Sequence, residues 1–193
     1  MKRLLLILIL TFSFQILAKA DDIRDFQIEG MSIGDSLLDF VSEKEIKINP
    51  GENIYRYPNS DKYLLWNSKD AQINLRNYDG MQFHYKLNDS KYIIKTIDAH
   101  IFFFENIQDC YPKKKEIYND IVKLFPNIKV VNENITHNLN KDSKVDQSVW
   151  TFDDGYLVLE CYDWSVDMPY GDKLSLSMTS NDLDYWLNNE AYK

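Results

Sequence analysis

The sequence predicts an α+β fold with a mainly antiparallel sheet built from hairpins and about three helices packed on it. Two observations predict it. Several segments alternate apolar and polar residues and come in pairs joined by short turns. Three other segments repeat apolar residues three or four positions apart, and they lie before, between and after the strands. Because an α/β fold needs helices that alternate regularly with strands, this order favours the α+β class.

One hairpin is predicted in the middle of the chain. Residues 81–87 alternate apolar and polar side chains, and residues 88–90 supply a turn into the apolar segment 91–104. Because the end of that segment is apolar on both faces, we expect it to be central in the sheet. Weaker strand candidates are residues 63–66, 71–75 and 128–131.

A second hairpin is predicted closer to the C-terminus. Residues 149–152 lead through residues 153–155 into residues 156–164, and the Asp-Gly pair of the turn supplies the positive φ values that a tight hairpin needs. Residues 173–178 also alternate and are expected to lie beside this hairpin. Residues 132–147 are polar with few apolar anchors, so they are expected to form a mobile loop.

Three helices are predicted from a start signal followed by an apolar face. Ser32, with Asp35 three positions later, is typical of a capping pair before the first helix. Pro112 suits the first turn of the second helix, which Pro126 ends. Ser180 suits the N-cap of the third helix. The predicted apolar faces are Ile33, Leu37, Phe40 and Val41, then Ile117, Ile121, Leu124 and Phe125, and finally Leu183, Trp186 and Leu187.

The N-terminus has the pattern of a secretory signal peptide over residues 1–20. Two basic residues precede a short apolar run, and Ala18-Lys19-Ala20 matches a cleavage site. The run is short for a membrane span, although an uncleaved anchor is the alternative. We therefore expect residues 21–193 to form a single α+β domain that is periplasmic or secreted, with no membrane span after cleavage.

The charge balance argues against nucleic acid as a partner. Of 22 basic residues, Lys2, Arg3 and Lys19 would leave with the signal peptide, so 19 would face 30 acidic residues, a net charge of −11. A field of this sign repels phosphate backbones. The six glycines are scattered and form no phosphate-binding loop, and we expect no cofactor.

Cys110 and Cys161 are the two cysteines of the chain. In an oxidising compartment two thiols favour one structural disulfide. The alternative is a redox pair, which usually has closely spaced cysteines such as Cys-x-x-Cys. The wide separation of these two favours a bridge that stabilises the fold.

Gly34-Asp35-Ser36-Leu37 resembles the nucleophile block of the GDSL esterases. That family would make Ser36 a nucleophile supported by a Gly-x-Asn-Asp block and an Asp-x-x-His block. Here no aspartate stands three residues before any of the three histidines, and the glycine before Asn181-Asp182 is missing. A serine without a base is a poor nucleophile. We expect Ser36 to lie in a first helical turn, with a GDSL-like hydrolase as the alternative.

The wider segment "IEGMSIGDSLLDFV" resembles the helix start of small exported bacterial proteins related to outer-membrane assembly lipoproteins and β-lactamase inhibitor proteins. The match covers about a dozen residues, and the lipid-carrying cysteine of the lipoproteins is absent. This resemblance implies helices paired with an antiparallel sheet. It also implies action through protein contacts.

Two groups of side chains are candidates for a site. Asp98 and His100 lie two apart on a predicted strand and so share a face, where a carboxylate could orient the imidazole or bind zinc with it. His84 is a possible third ligand, expected several residues along from Asp98. Since a zinc site needs three or four ligands, a solvated polar face is the favoured interpretation. Aromatic residues concentrated in segment 55–66 would suit sugar or peptide binding or fill the core, and they are Tyr55, Tyr57, Tyr63 and Trp66.

Together these patterns favour a non-enzymatic protein of the cell envelope. We expect it to bind an envelope protein or a small ligand through the sheet face or an aromatic surface. No catalytic, cofactor-binding or metal-binding residue is assigned. The alternative class is the hydrolase that would use Ser36.

Overall fold

The computed structural model describes residues 22–71, 73–104 and 106–193, so the predicted signal peptide lies outside the described residues. They form an α+β fold dominated by one antiparallel sheet of eight strands. The strands are β1 (Ile54–Tyr55), β2 (Tyr63–Asn67), β3 (Gly80–Lys86), β4 (Ile94–Phe102), β5 (Val130–Thr136), β6 (Lys144–Thr151), β7 (Gly155–Asp163) and β8 (Lys173–Ser180).

The sheet consists of two four-stranded meanders that meet at its centre. The strand order is β1-β2-β3-β4-β8-β7-β6-β5, and each neighbouring pair is antiparallel. A crossover after β4 takes the chain to the far edge at β5, from which the second meander returns to pair β8 with β4. The central position predicted for β4 and the place of β8 beside β7 are therefore confirmed.

Four α-helices lie among the described residues, rather than about three. The second predicted helix is confirmed as the longest of them, and Ser180 is the N-cap of the last, as predicted. The remaining two have only four residues each. The helices are α1 (Glu43–Ile46), α2 (Pro50–Asn53), α3 (Cys110–Leu124) and α4 (Asn181–Trp186), and a π-helical turn (Leu187–Ala191) extends α4.

The helix predicted after Ser32 is wrong. The Ser32 backbone N–H does donate to the Asp35 carboxylate, at 2.8 Å, but Gly34 has a φ of +95°, which an α-helix cannot contain. A single 3₁₀ turn, Leu37–Asp39, follows instead, with Ser36 as its N-cap. Ile33, Leu37 and Val41 are still buried, because an irregular chain can also turn them toward the sheet, whereas Phe40 is exposed.

The start of the same segment is a tight two-residue turn. Ile28 and Met31 exchange backbone hydrogen bonds of 2.9 and 3.0 Å across it. Glu29 and Gly30 have φ values of +54° and +82°, which is the type I′ pattern. The Glu29 carboxylate accepts hydrogen bonds from the backbone N–H groups of Arg76 and Asn77, at 3.1 and 2.8 Å. The turn therefore holds a distant loop in place.

The mobile loop predicted over residues 132–147 is wrong in most of its length. It contains most of β5 and the first half of β6, which pair from Val130 with Trp150 to Thr136 with Lys144. β5 is an edge strand and is exposed on both faces, so polar residues do not prevent it from pairing. Residues 71 and 73–75, in another predicted strand, are not in a strand.

The hairpin turn before Gly155 exists, but its predicted φ values are wrong. None of residues 153–155 has a positive φ. Gly155 is instead required by a close approach, since a Cβ atom there would lie 2.3 Å from the backbone oxygen of Thr179 in β8. The glycine lets β7 and β8 come together at the end of their ladder.

One face of the sheet carries the main hydrophobic core. α3 packs against β7 and β8 on this face, and apolar residues of the N-terminal segment 22–46 belong to the same core. Cys110 at the start of α3 forms a disulfide with Cys161 of β7, with 6.1 Å between their Cα atoms. The predicted bridge is therefore confirmed, and it joins the helix to the sheet.

The opposite face, which we call the open face, is covered at one end. There a second apolar cluster joins α4 to β2, with Tyr57, Tyr63, Leu183 and Trp186 as its largest buried side chains. No helix of the described residues is long and apolar enough to cross a membrane. Beyond the second cluster, the open face presents polar and aromatic side chains.

Candidate functional site

The central strands of the open face form three parallel rows of chemically distinct residues. β8 lies between β4 and β7, so those two strands are about 10 Å apart. In the pairing of β4 with β8, Asp98 lies opposite Ser177, His100 opposite Ser175, and Phe102 opposite Lys173. β7 adds Val158, Glu160 and Tyr162 on the other side of the same β8 residues. Small side chains and one lysine thus lie between two rows of larger side chains.

Each of the two carboxylates already has one hydrogen bond from a neighbour. The Ser175 hydroxyl donates to Asp98 at 2.6 Å, and the Tyr162 hydroxyl donates to Glu160 at 2.8 Å. Burial raises the pKa of Glu160 above its ordinary value, although the bond from Tyr162 opposes the change. Burial also raises the pKa of Tyr162. The Lys173 ammonium lies 5.3 Å from the centre of the Tyr162 ring, whose hydroxyl donates to Glu160, so it supplies a positive charge on the Glu160 side of the face.

His100 is held deep in this face. Only 8% of it is exposed, and its Nδ1 atom has no hydrogen-bond partner among the described residues. The ring lies against Gly80, where a Cβ atom would be 2.8 Å from Nε2. Burial lowers the pKa of His100, and the nearby Asp98 opposes this. The prediction that Asp98 and His100 share a face is confirmed, and a neutral imidazole is the expected form at neutral pH.

An aromatic band lies beside these polar rows, at the end of the open face opposite α4. Two pairs of rings in it are stacked, each with an interplanar angle of 13°. The ring centroids are 5.0 Å apart for Phe102 and Phe104 and 5.5 Å apart for Tyr162 and Trp164. Trp164 also contacts Tyr170 and His137, at 4.8 and 4.5 Å. We define the aromatic band as Phe102, Phe104, His137, Tyr162, Trp164 and Tyr170.

Two members of the aromatic band are strongly exposed. Phe104 is 76% exposed and Tyr170 is 51% exposed. Gly171, next to Tyr170 in the chain, makes room for the Phe104 ring, since a Cβ atom there would be 2.6 Å from that ring. A sequence signal for the band does exist, because "HIFFF" and "YDW" place rings at alternate positions of strand ends, where they share one face. Only the sheet order brings these two segments together.

The other predicted aromatic group does not form one surface. Trp66 is fully buried in the main core, whereas Tyr57 and Tyr63 lie on the opposite side of the sheet in the cluster with α4. Tyr55 is exposed and contacts Tyr57 edge-on. Adjacent strand residues point to opposite faces, so the segment 55–66 is divided between two cores.

His84, the possible third ligand, is occupied elsewhere. It lies opposite Thr96, two residues from the position opposite Asp98. Its Nε2 atom is 2.6 Å from the Tyr57 hydroxyl in the buried cluster under α4. The described residues contain no group of three or more His, Cys, Asp or Glu side chains placed to hold a metal ion.

Acid is expected to destabilise the protein through His84. Burial lowers its pKa from 6.5 to about 4, so the unfolded chain binds a proton more readily than the folded one between these values. The contribution of neutral His84 to the free energy of unfolding is complete above about pH 6.5 and is lost as the pH falls to about 4. This contribution is on the order of 3 kcal/mol. Urea unfolding at pH 7 and pH 4.5 measures it.

The variant His84→Gln removes this titration and serves as the test. Its free energy of unfolding should depend less steeply on pH than that of the wild type. The same slope for His84→Gln and the wild type would contradict the assignment to His84.

Ser36, the candidate nucleophile, has its hydroxyl engaged with the backbone. It donates to the carbonyl oxygen of Lys91 at 2.6 Å and accepts from the N–H of Leu38 at 3.3 Å. These contacts cap a short turn and tie it to the start of β4. The hydroxyl of Ser36 therefore has a structural role, because its proton is already donated to a backbone carbonyl.

Comparisons of the chain with protein-family models, curated proteins and solved structures found no match.

Proposed function

We propose that this chain is an exported, non-catalytic binding or accessory protein of the cell envelope, which engages its partner through the open face. The observation that carries the proposal is the aromatic band, where Phe104 and Tyr170 are exposed next to the polar rows of the open face. Large exposed rings next to hydrogen-bonding groups are typical of recognition surfaces. The disulfide and the signal-like N-terminus support export.

The hydrogen bonding of the polar rows supports binding over catalysis. Ser175, His100 and Asp98 are neighbours, but the Ser175 proton goes to Asp98. A serine nucleophile would instead need its proton directed at the imidazole. The same groups can accept and donate hydrogen bonds to a bound molecule without reacting with it.

Site-specific photocrosslinking in the native envelope tests the proposal. A photoreactive phenylalanine analogue replaces Phe104 or Tyr170 in the full chain, one position at a time. Both positions should yield the same adduct, because both rings lie in one band. Val122, which is exposed on α3 at the other side of the sheet, is the matched control and should yield at least fivefold less of it. Equal labelling at all three positions, or no adduct from the band, would contradict the proposal.

The alternative proposal is a serine hydrolase that uses Ser36, and an activity probe separates the two. We expect a serine-reactive phosphonate to leave the protein unlabelled, because the Ser36 hydroxyl donates to the Lys91 carbonyl. Labelling is read as a mass increase of the intact protein, with Ser36→Ala and Ser175→Ala as controls. Labelling that disappears only in Ser36→Ala would establish the hydrolase.

A further inference from the structure

We propose that the open face binds a neutral oligosaccharide, across the aromatic band and the adjoining polar rows. This inference rests on the proposed function and names the class of ligand. It is carried by the shape of the band, by the mixture of charges next to it, and by hydrogen-bonding groups that lack a protein partner.

The aromatic band supplies flat apolar surfaces for stacking. A sugar ring has one or two faces of C–H groups, which pack against an aromatic ring in the way that apolar groups pack on its π-face. Tyr170 and Phe104 are the exposed rings, and Trp164 lies 4.8 Å behind Tyr170. Several rings in one band allow more than one sugar unit to stack, which favours an oligosaccharide over a single sugar.

The polar rows carry both signs of charge at close range. Asp98 and Glu160 provide acceptor oxygens, and Lys173 provides a donor over the Tyr162 ring, on the side of Glu160. A cationic ligand would meet Lys173, and an anionic ligand would meet the two carboxyl groups. A sugar hydroxyl both donates and accepts, so a neutral polyhydroxylated ligand matches the mixture.

Two ring nitrogens in and beside the band lack a hydrogen-bond partner within the described part of the chain. They are Nδ1 of His100, whose side chain is nine-tenths buried, and Nε1 of Trp164. A buried polar atom without a hydrogen-bond partner destabilises a fold, and such atoms are uncommon in proteins. Both atoms are enclosed in the free protein, so a ligand hydroxyl or its water would satisfy them once binding gives it access to them. Both nitrogens lie in or beside the surface formed by the aromatic band and the polar rows, whose rings and charges favour a sugar.

Tryptophan fluorescence provides the measurement. Trp66, Trp150 and Trp186 are fully buried away from solvent, so a change caused by a ligand on the open face reports Trp164. The probes are neutral hexamers of glucose, mannose and N-acetylglucosamine, with hexamers of glucosamine and galacturonic acid as the cationic and anionic counterparts. We expect at least one neutral hexamer to bind the full-length mature protein with a Kd below 1 mM, on the order of typical weak binding. Both charged hexamers should bind at least tenfold more weakly.

Substitutions of exposed rings test the location of the site without threatening the fold. Tyr170→Ala and Phe104→Ala should each weaken binding of the neutral hexamer at least tenfold. Tyr185→Ala on α4, where the ring is 64% exposed, is the matched control and should bind as the wild type does. Lys173→Gln should shift the preference toward the glucosamine hexamer, because it removes the cation over the Tyr162 ring and leaves the charge of the face more negative.

The outcomes separate this inference from the proposed function. Absence of binding by all three neutral hexamers would overturn it, as would binding that Tyr170→Ala and Phe104→Ala leave unchanged. A protein adduct from both photocrosslinking positions, together with no binding of any hexamer, would keep the proposed function and reject the sugar. A preference for a charged hexamer would also reject it.

Discussion

Reduction of the Cys110–Cys161 disulfide is expected to lower the free energy of unfolding by about 4 kcal/mol. The bond joins residues 51 positions apart, so it closes a long loop and removes much conformational freedom from the unfolded chain. The folded state should persist after reduction, because α3 and β7 also pack through apolar residues of the main core. Urea unfolding with and without a reductant measures the difference.

A double variant separates the covalent bond from other effects of the reductant. Cys110→Ala/Cys161→Ala should unfold near the midpoint of the reduced wild type and should not respond to the reductant. Hydrogen exchange should show the largest loss of protection in α3, since the bond holds its first residue. Equal midpoints for the oxidised and reduced wild type would contradict a stabilising role for the bridge.

Gly155→Ala is expected to destabilise the protein by about 3 kcal/mol or more, at the upper end of the range for overpacking. The added Cβ atom would lie 2.3 Å from the backbone oxygen of Thr179 and 3.1 Å from Ile23 Cδ1. A backbone oxygen in a paired strand cannot rotate away as a side chain can. β7 and β8 would therefore have to separate at this end, and urea unfolding should show a lower midpoint.

Gly51→Ala is the control for this substitution. Gly51 lies in α2, and a Cβ atom there meets nothing within 4 Å. Alanine favours a helix over glycine by about 1 kcal/mol, so this variant should be neutral or slightly more stable. If Gly155→Ala were as stable as Gly51→Ala, the close approach between β7 and β8 would not be what requires the glycine.

The parts of the fold that could be predicted are those in which local pattern and burial agree. β8 alternates apolar and polar residues, and alternate residues of β7 are buried, so that the two strands fill the core face together, as in Leu159 opposite Leu176. α3 has an apolar face, with Pro112 in its first turn and Pro126 just after its end. In such segments the residue period alone decides the element.

The wrong predictions lie where neighbours in space decide the conformation. β5 has little apolar pattern of its own and is a strand because β6 offers it a ladder of hydrogen bonds. The segment after Ser32 has a helical spacing of apolar residues, but the positive φ at Gly34 is incompatible with a helix. The pairing of Ser36 with Ile93 holds the segment next to β4. Propensity is a weak prior when tertiary contacts compete with it.

By itself, the sequence determined the α+β class, the pairing of the only two cysteines, the central position of β4 and the common face of Asp98 and His100. The fold class, the position of β4 and the common face depend on residue spacing, which is local. The disulfide follows because two cysteines allow only one pairing within the chain. The tertiary structure alone decided the strand order that places β4, β8 and β7 side by side, and so assembled the aromatic band from residues 60 or more positions apart, such as Phe104 and Trp164. Strand order depends on which ladders bury the most surface together, and no single segment contains that information.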